Sequence, residues 1–162
     1  MIKNFAKYLQ NIPNIPEIII ELDSFRKSKN RNFKQLAMII KKDKSLHLDI
    51  LKIMDFQIFD FFNKPKNIQN FISITSLEFV CALATSLCFC RSIKTNLFSY
   101  AVTFDDFLYS NTLSMLIVEM WLKNSDKKLK DELLIPVFLQ DLAKPLISKA
   151  ISEHKLTEQF LS

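Results

Sequence analysis

The sequence predicts an all-α fold, and three observations support that prediction. The chain has 162 residues and no glycine, whereas ordinary usage would give about 11. Two-residue β-hairpins strongly prefer glycine, so a fold rich in hairpins is disfavoured. Apolar residues recur three and four positions apart, which is the spacing of a helix with one buried face. Prolines and polar runs separate these segments, and nothing indicates a second domain within residues 1–162.

Caps and apolar spacing predict the helices of the N-terminal half. Pro13 and Pro16 interrupt a short first helix, and Pro16 also suits the first turn of the next one. Asn32 is a residue type favoured as an N-cap, and Asp43 or Ser45 can cap the helix that follows. We expect helices over residues 2–10, 16–27 and 33–42, and one more that extends to Met54.

Aromatic residues and prolines mark the C-terminal half. The segment FQIFDFF concentrates phenylalanine, and Pro65 and Asn67 indicate a turn after it. In total we expect about seven to nine helices. Those of this half run from Ser73 or Ser76 to Ile93, from 104 to 122, and from 129 to 151 with a bend or restart at Pro136 and Pro145.

The helix predicted over residues 104–122 has apolar residues along one face. They are Tyr109, Leu113, Leu116, Ile117, Met120 and Trp121. Asp105 and Asp106 at its start would stabilise the positive end of the helix dipole. Any apolar surface left over after folding would serve as a partner or dimer face. For the FQIFDFF segment, full burial of Phe59, Phe61 and Phe62 would count against a docking role.

Composition excludes several classes of site. The dinucleotide-binding fingerprint, the phosphate-binding P-loop and the nucleophile elbow all need glycine, so none is present in standard form. The net charge of +5 fits a lysine-rich solvated surface. A nucleic-acid interface is disfavoured because we expect no exposed aromatic residues to interleave the basic clusters, and because no recognisable DNA-reading motif is present. The basic residues concerned are Arg26, Lys27, Lys29, Arg31, Lys34, Lys127, Lys128 and Lys130.

The cysteines and the apolar stretches bear on location. Cys81, Cys88 and Cys90 lie within one apolar segment and do not suggest a disulfide framework, so we expect a reducing cytoplasm. The longest apolar run, FVCALATSLCFC, is shorter than the roughly 20 residues that a membrane span requires. It predicts a buried core helix and no membrane insertion. No signal-peptide pattern is visible at the N-terminus.

No catalytic or metal site is predicted from the residues alone. His47 and His154 are the only histidines and lack neighbours at metal-ligand spacing. Cys88 and Cys90 are separated by about 200° on a helix, so they cannot hold one ion together. The carboxylate pairs Asp105 with Asp106, and Asp55 with Asp60, have ordinary structural explanations. Asp141 follows Val137 and Phe138 on an apolar side, which indicates either structural hydrogen bonding or the relic of a functional site.

The order of the segments resembles the HDOD family, the HD-related output domain of bacterial signalling proteins. NIPNIPEIIIEL at 11–22 is similar to the family's opening run, and FKQLAMIIKKDKSLHLDILKIMD at 33–55 to its next signature. YSNTL at 109–113 and FLQDLAK at 138–144 occupy the places of the later motifs. The family's Leu-Gly pair is missing, and the chain stops sooner than a typical member. The resemblance implies a multi-helix HD-like bundle.

The resemblance also implies a degenerate active site. True HD phosphohydrolases bind metal through a His and a His-Asp pair. Here Asn111 and Gln140 stand at those positions, and only Asp141 is kept. We therefore expect no catalysis, metal or cofactor, but a regulatory module in bacterial signal transduction that binds one or more proteins, including a possible homodimer. The alternatives are a metal-dependent HD-type phosphohydrolase and a nucleotide- or nucleic-acid-binding module.

Overall fold

Seven α-helices and one 3₁₀ helix make up the described part of the chain. The structure is a computed structural model that describes residues 16–62, 64–92, 97, 100–144 and 147. Within those ranges no strand is present, and the predicted all-α fold is confirmed. The α-helices are α1 (Glu17–Lys27), α2 (Phe33–Lys42), α3 (Lys44–Met54), α4 (Ile68–Ile74), α5 (Leu77–Ser92), α6 (Phe104–Leu122) and α7 (Lys127–Leu139), and the 3₁₀ helix (Gln57–Phe62) lies between α3 and α4.

Helix α5 lies at the centre and contacts all six other α-helices. Every residue from 79 to 88 is buried, as the sequence predicted for this apolar run. A chain of edge-to-face aromatic rings joins the 3₁₀ helix, α4 and α5. The ring centroids of Phe59 and Phe71 are 5.0 Å apart, and those of Phe71 and Phe79 are 6.0 Å apart. The FQIFDFF segment therefore contributes at least Phe59 to the core, and the side chains of Phe61 and Phe62 lie outside the described residues.

Short polar side chains start most of the helices. The N-caps that accept a backbone hydrogen bond are Asn32, Asp43, Asn67, Thr103 and Asp126. The structure resolves the choice between Asp43 and Ser45 in favour of Asp43, whose carboxylate accepts from the Leu46 amide at 2.9 Å.

Within the described residues only Ala101 has a positive φ, at 52°. A left-handed residue of this kind is usually glycine.

The long apolar helix predicted from Ser73 or Ser76 begins at the second of these two positions and runs over Leu77–Ser92. The Ser76 hydroxyl accepts from the Phe79 amide, so α5 begins after Ser76, whereas α4 is a separate helix that was not predicted. The two helices meet at 119° across Thr75, whose hydroxyl donates to the Phe71 carbonyl. No proline or glycine marks this break. No single helix of the described residues is long and apolar enough to cross a membrane; α4 and α5 reach that length and hydropathy only as this bent pair.

The last helical region is interrupted at a different place from the one predicted. Helix α7 includes Pro136 without a restart and ends at Leu139, the chain turns at 140–142, and residues 143, 144 and 147 are helical again. Pro136 lies inside α7, well beyond its first turn, so it leaves the Glu132 carbonyl without the usual backbone donor four residues later. The predicted helix over 2–10 and the effect of Pro145 lie outside the described residues.

A buried ion pair joins α6 to α7. Lys130 Nζ lies 3.1 Å from Glu119 Oε1, and the two side chains are only 5% and 3% exposed. Lys130 Nζ is also 3.6 Å from Asp131 Oδ1. The sequence placed Lys130 among solvated basic residues, which was wrong, because packing of α7 on α6 turns this side chain inward. A buried charge requires a partner, so the pair fixes how these two helices meet.

We predict that Lys130→Met destabilises the fold by about 3–5 kcal/mol, because it leaves the Glu119 carboxylate buried without its partner. The double variant Glu119→Leu/Lys130→Met should recover most of that loss, since it removes both charges. Urea unfolding followed by circular dichroism measures both, with Lys128→Met at an exposed position of the same helix as the control. If the free energy of unfolding of Lys130→Met equals or exceeds that of the double variant, the assignment of a buried ion pair is contradicted.

Candidate functional site

The three positions singled out by the sequence lie on α6 and in the turn after α7. Asn111 belongs to α6, and Gln140 and Asp141 follow the last residue of α7. The Gln140 amide nitrogen donates to the Ser114 hydroxyl at 3.4 Å, so the turn contacts α6 one helical turn after Asn111. The fold therefore brings the two motifs to neighbouring positions, as expected for the remnants of one site.

Asn111 is engaged within its own helix. Its side chain is almost fully buried, and its amide nitrogen donates to the Phe107 carbonyl at 3.0 Å. Its Oδ1 is buried and has no hydrogen-bond partner. An amide is a poor ligand for a transition metal, and here its donor group already has a partner. Asn111 thus has the geometry of a helix-packing residue.

Asp141 lies at a cavity of about 370 Å³ between the turn and the start of α6. Its carboxylate accepts from Lys144 Nζ at 2.7 Å. The second carboxylate of the cavity, on Asp106, accepts from the Thr103 hydroxyl and amide in a capping box. Those hydrogen bonds hold the pKa of Asp106 below its usual value. Both acids are therefore committed to partners within the chain.

The described residues do not fit a bound metal ion at this cavity. Besides the two acids, its polar lining consists of Tyr100, Ser110 and Lys144. Across the ranges that the structure describes, no group of three or more His, Cys, Asp or Glu residues could hold an ion. A hydrolytic metal centre needs several such ligands on one open site. The arrangement supports hydrogen bonding and helix packing, and it supplies no set of metal ligands.

The other candidate residues are dispersed. His47 lies half-buried on α3, and His154 lies outside the described residues. Asp55 pairs with Lys64 at 3.2 Å. Asp105, in the first turn of α6, pairs with Lys52 on α3. These exposed pairs link surface elements and create no catalytic constellation.

The three cysteines are buried free thiols of α5, as predicted for small core residues. Burial raises the pKa of Cys81 and of Cys88 to about 11, and that of Cys90 to about 12. The thiolate is the reactive form of cysteine, so these side chains are poor nucleophiles near neutral pH.

A stripe of apolar residues along α6 faces solvent, which the sequence did not predict. We call the α6 stripe the four large apolar residues Leu113, Ile117, Met120 and Trp121, all of them exposed. Trp121, the one tryptophan of the chain, is 77% exposed. Of the apolar face predicted from the sequence, only Leu116 is fully buried. Helix α6 is apolar on nearly all sides, so periodicity alone cannot decide which side faces the core.

A second surface was missed because three separate segments form it. We call the basic groove the cavity of about 510 Å³ between α2, α3 and the start of α4. Lys34 and Lys41, seven residues apart on α2, line it together with Lys66. The seven-residue spacing places two lysines on one side of α2, which is the one signal that the sequence offered.

Comparison with known proteins identifies the family. A family model described as HDOD domain matches residues 12–159. No curated protein and no solved structure matches the chain. The matched range includes every described helix and the three positions Asn111, Gln140 and Asp141.

We predict that the thiols are protected in the native state. At pH 8 a disulfide reagent should titrate none of the three cysteines rapidly, and all three should react in guanidinium. Because burial raises these pKa values from 9.0 to about 11 or 12, the folded chain keeps thiol protons that the unfolded chain has lost. Stability should therefore fall as the pH rises through 9 towards 11. Rapid native-state labelling would contradict the buried arrangement.

We also predict that the cavity at Asp141 retains no stoichiometric metal ion. After dialysis against Mn²⁺ or Zn²⁺ and gel filtration, elemental analysis should give the same background for the wild type and for Asp141→Asn. An ion bound at about one per chain that Asp141→Asn removes would instead favour the hydrolase alternative.

Proposed function

Because the chain belongs to the HDOD domain family, we propose that it is a regulatory module of bacterial signal transduction that acts by binding proteins and not by catalysis. The observation that carries this proposal is the α6 stripe, where Trp121 and three aliphatic or thioether side chains face solvent. Contiguous exposed apolar residues, an aromatic among them, are typical of interaction sites. The three free thiols suit a reducing compartment, which we take to be the cytoplasm.

The residues at the degenerate positions support a non-catalytic role. Asn111 is buried and bonded to its own helix, while Gln140 contacts Ser114 and Asp141 pairs with Lys144. Each former ligand position is thus occupied by a side chain with a local structural partner. A metal-dependent phosphohydrolase would need these groups to converge on an ion.

The basic clusters give little support to the nucleic-acid alternative. Arg26 and Lys27 both pair with Asp23, and Arg31 pairs with Glu78 at 3.2 Å. Lys130 is buried beside Glu119. Lys128 lies 3.9 Å from Glu132, so five of the eight basic residues in these clusters have an acidic partner. A phosphate-binding surface depends on cations that remain available to the polyanion.

We infer that the α6 stripe binds a second copy of this chain. The one charged residue between Leu113 and Trp121 is Glu119, which is buried beside Lys130, so two stripes can pack together without burying a further ion. In an antiparallel pair of α6 helices related by a two-fold axis, the stripe of each copy would cover the stripe of the other and withdraw both from water.

Trp121→Lys should abolish this dimer. We expect the wild-type chain to show a concentration-dependent monomer–dimer equilibrium in sedimentation velocity, because an interface of one helix face is small. The variant should remain monomeric at the highest concentration at which the wild type dimerises, since it introduces an unpaired charge into the contact. Leu48→Lys is the matched control, because Leu48 is an equally exposed apolar residue on α3 and should leave the equilibrium unchanged.

A cysteine substitution tests the antiparallel arrangement separately. Ile117 lies near the middle of the stripe, so Ile117→Cys in two copies should come together at the two-fold axis and form a disulfide on mild oxidation. Lys123→Cys, near the end of the helix, should not. A wild-type chain that is monomeric at every concentration, or equal cross-linking at both positions, would overturn this mode of association.

A further inference from the structure

The basic groove has an apolar floor within a ring of cations. Its floor includes Ala37 from α2, Leu51 from α3 and Ile68 from α4. Met38 lies at its edge and is 61% exposed. The cavity of about 510 Å³ falls within the range of natural ligand sites, which is about 300–1,000 Å³. The groove can therefore receive a few apolar side chains.

The charge around this floor has one sign. Lys34, Lys41 and Lys66 line the groove together with His47, and no Asp or Glu lines it. Across the part of the chain that the structure describes, none of these three lysines has a carboxylate within salt-bridge distance. Like charges gathered at one concavity create a positive potential that attracts an anionic partner.

Other lysines on the same helices differ in this respect. Lys42 of α2 pairs with Glu21 at 2.8 Å, and Lys52 of α3 pairs with Asp105. Lys64, just before α4, pairs with Asp55. Lys29, Lys44, Lys123 and Lys127 also have no carboxylate within salt-bridge distance among the described residues, but none of them lines the groove. What distinguishes the groove is that three such lysines line one concavity with an apolar floor.

We propose that the basic groove binds an acidic amphipathic segment of a partner protein. Apolar side chains of the segment would fill the floor between Ala37 and Ile68, and flanking carboxylates would meet Lys34 and Lys41. Phe33 and His47 also line the groove, and aromatic rings of this kind can stack on nucleobases, so an oligonucleotide is included in the test below. The concave shape differs from the protruding apolar face that inserts into a lipid surface.

The surface beside the groove extends this site. A second cavity of about 510 Å³ lies against α1 and α2 and also includes Met38 and the exposed Ile20. The unbranched thioether of Met38 can adapt its conformation to different partners, and it stands between the two cavities. A segment of several turns could therefore lie across α2 with Met38 beneath it.

This site goes beyond the proposed function, because it uses other helices than the α6 stripe and specifies the chemistry of the partner. Dimerisation through α6 and peptide binding at α2 involve no common residue. A failure of one leaves the other measurable, and the full-length chain serves for both experiments.

The test uses a fluorescein-labelled amphipathic peptide of Leu and Glu at helical spacing, and the same peptide with Gln in place of every Glu. Fluorescence anisotropy should show saturable binding of the Glu peptide that weakens with added salt. The Gln peptide should bind about tenfold more weakly or worse, since it lacks the carboxylates that face the lysines.

Charge-reversed variants locate the binding. The double variant Lys34→Glu/Lys41→Glu should bind the Glu peptide about tenfold more weakly or worse, because it places like charges across the contact. Lys29→Glu/Lys127→Glu changes the net charge by the same amount at exposed positions outside the groove and should bind as the wild type does. Ala37→Phe leaves every charge in place but fills the floor, and it should weaken binding as well. Circular dichroism and urea unfolding verify that each variant is folded.

Three results would overturn the proposal. One is the absence of saturable binding of the Glu peptide to the wild type. Another is equal weakening by the groove variant and its control, which would mean attraction to overall charge alone. The third is tighter binding of a single-stranded oligonucleotide of matched charge than of the peptide. If Lys34→Glu/Lys41→Glu also abolishes binding of that oligonucleotide, the groove is assigned to nucleic acid.

Discussion

The burial of α5 is the constraint on which the rest of the structure depends. Ten consecutive residues of this helix are withdrawn from water, so other helices must cover it on every side. The small side chains of Ala82, Ala84 and Ser86 allow neighbouring helices to pack closely on α5 in a chain that has no glycine. Six helices share this task, and each of them has one side on α5 and another that is free. The free sides of α2 and α6 become the two surfaces from which function is inferred.

Helix α6 carries both polar and apolar residues on each side. Its buried side includes Asn111, Thr112 and Glu119 beside four apolar residues, and its exposed side carries the α6 stripe. The buried polar groups contribute to packing because Glu119 meets Lys130 of α7 and Asn111 bonds within the helix. The exposed apolar groups have no comparable role in the stability of the described chain, since water remains in contact with them. Stability therefore does not explain the stripe, which is why we propose it as a recognition surface.

Local chemistry made much of the fold predictable. The bounds of α2 and α6 follow from Asn32 and from the segment after Thr103, where side-chain caps define the helix start. The resemblance to the family and the inert cysteines also followed from residues in the sequence. What could not be predicted depends on contacts between distant segments. The bend at Thr75 carries no breaker residue, Lys130 is buried only by the packing of α7 on α6, and the basic groove needs three helices side by side.

Asn111 and Gln140 stand where the resemblance implies the metal ligands of an HD phosphohydrolase, and the structure shows which contacts hold the two elements that carry them together. A metal centre would hold α6 and the turn after α7 together through shared ligands. In this chain Gln140 contacts Ser114, and the Glu119–Lys130 pair links the same two helices further along. Side chains of the chain itself therefore join these elements. The exposed side chains of α2 and of the α6 stripe take no part in those contacts, which leaves them available for the interactions that we propose.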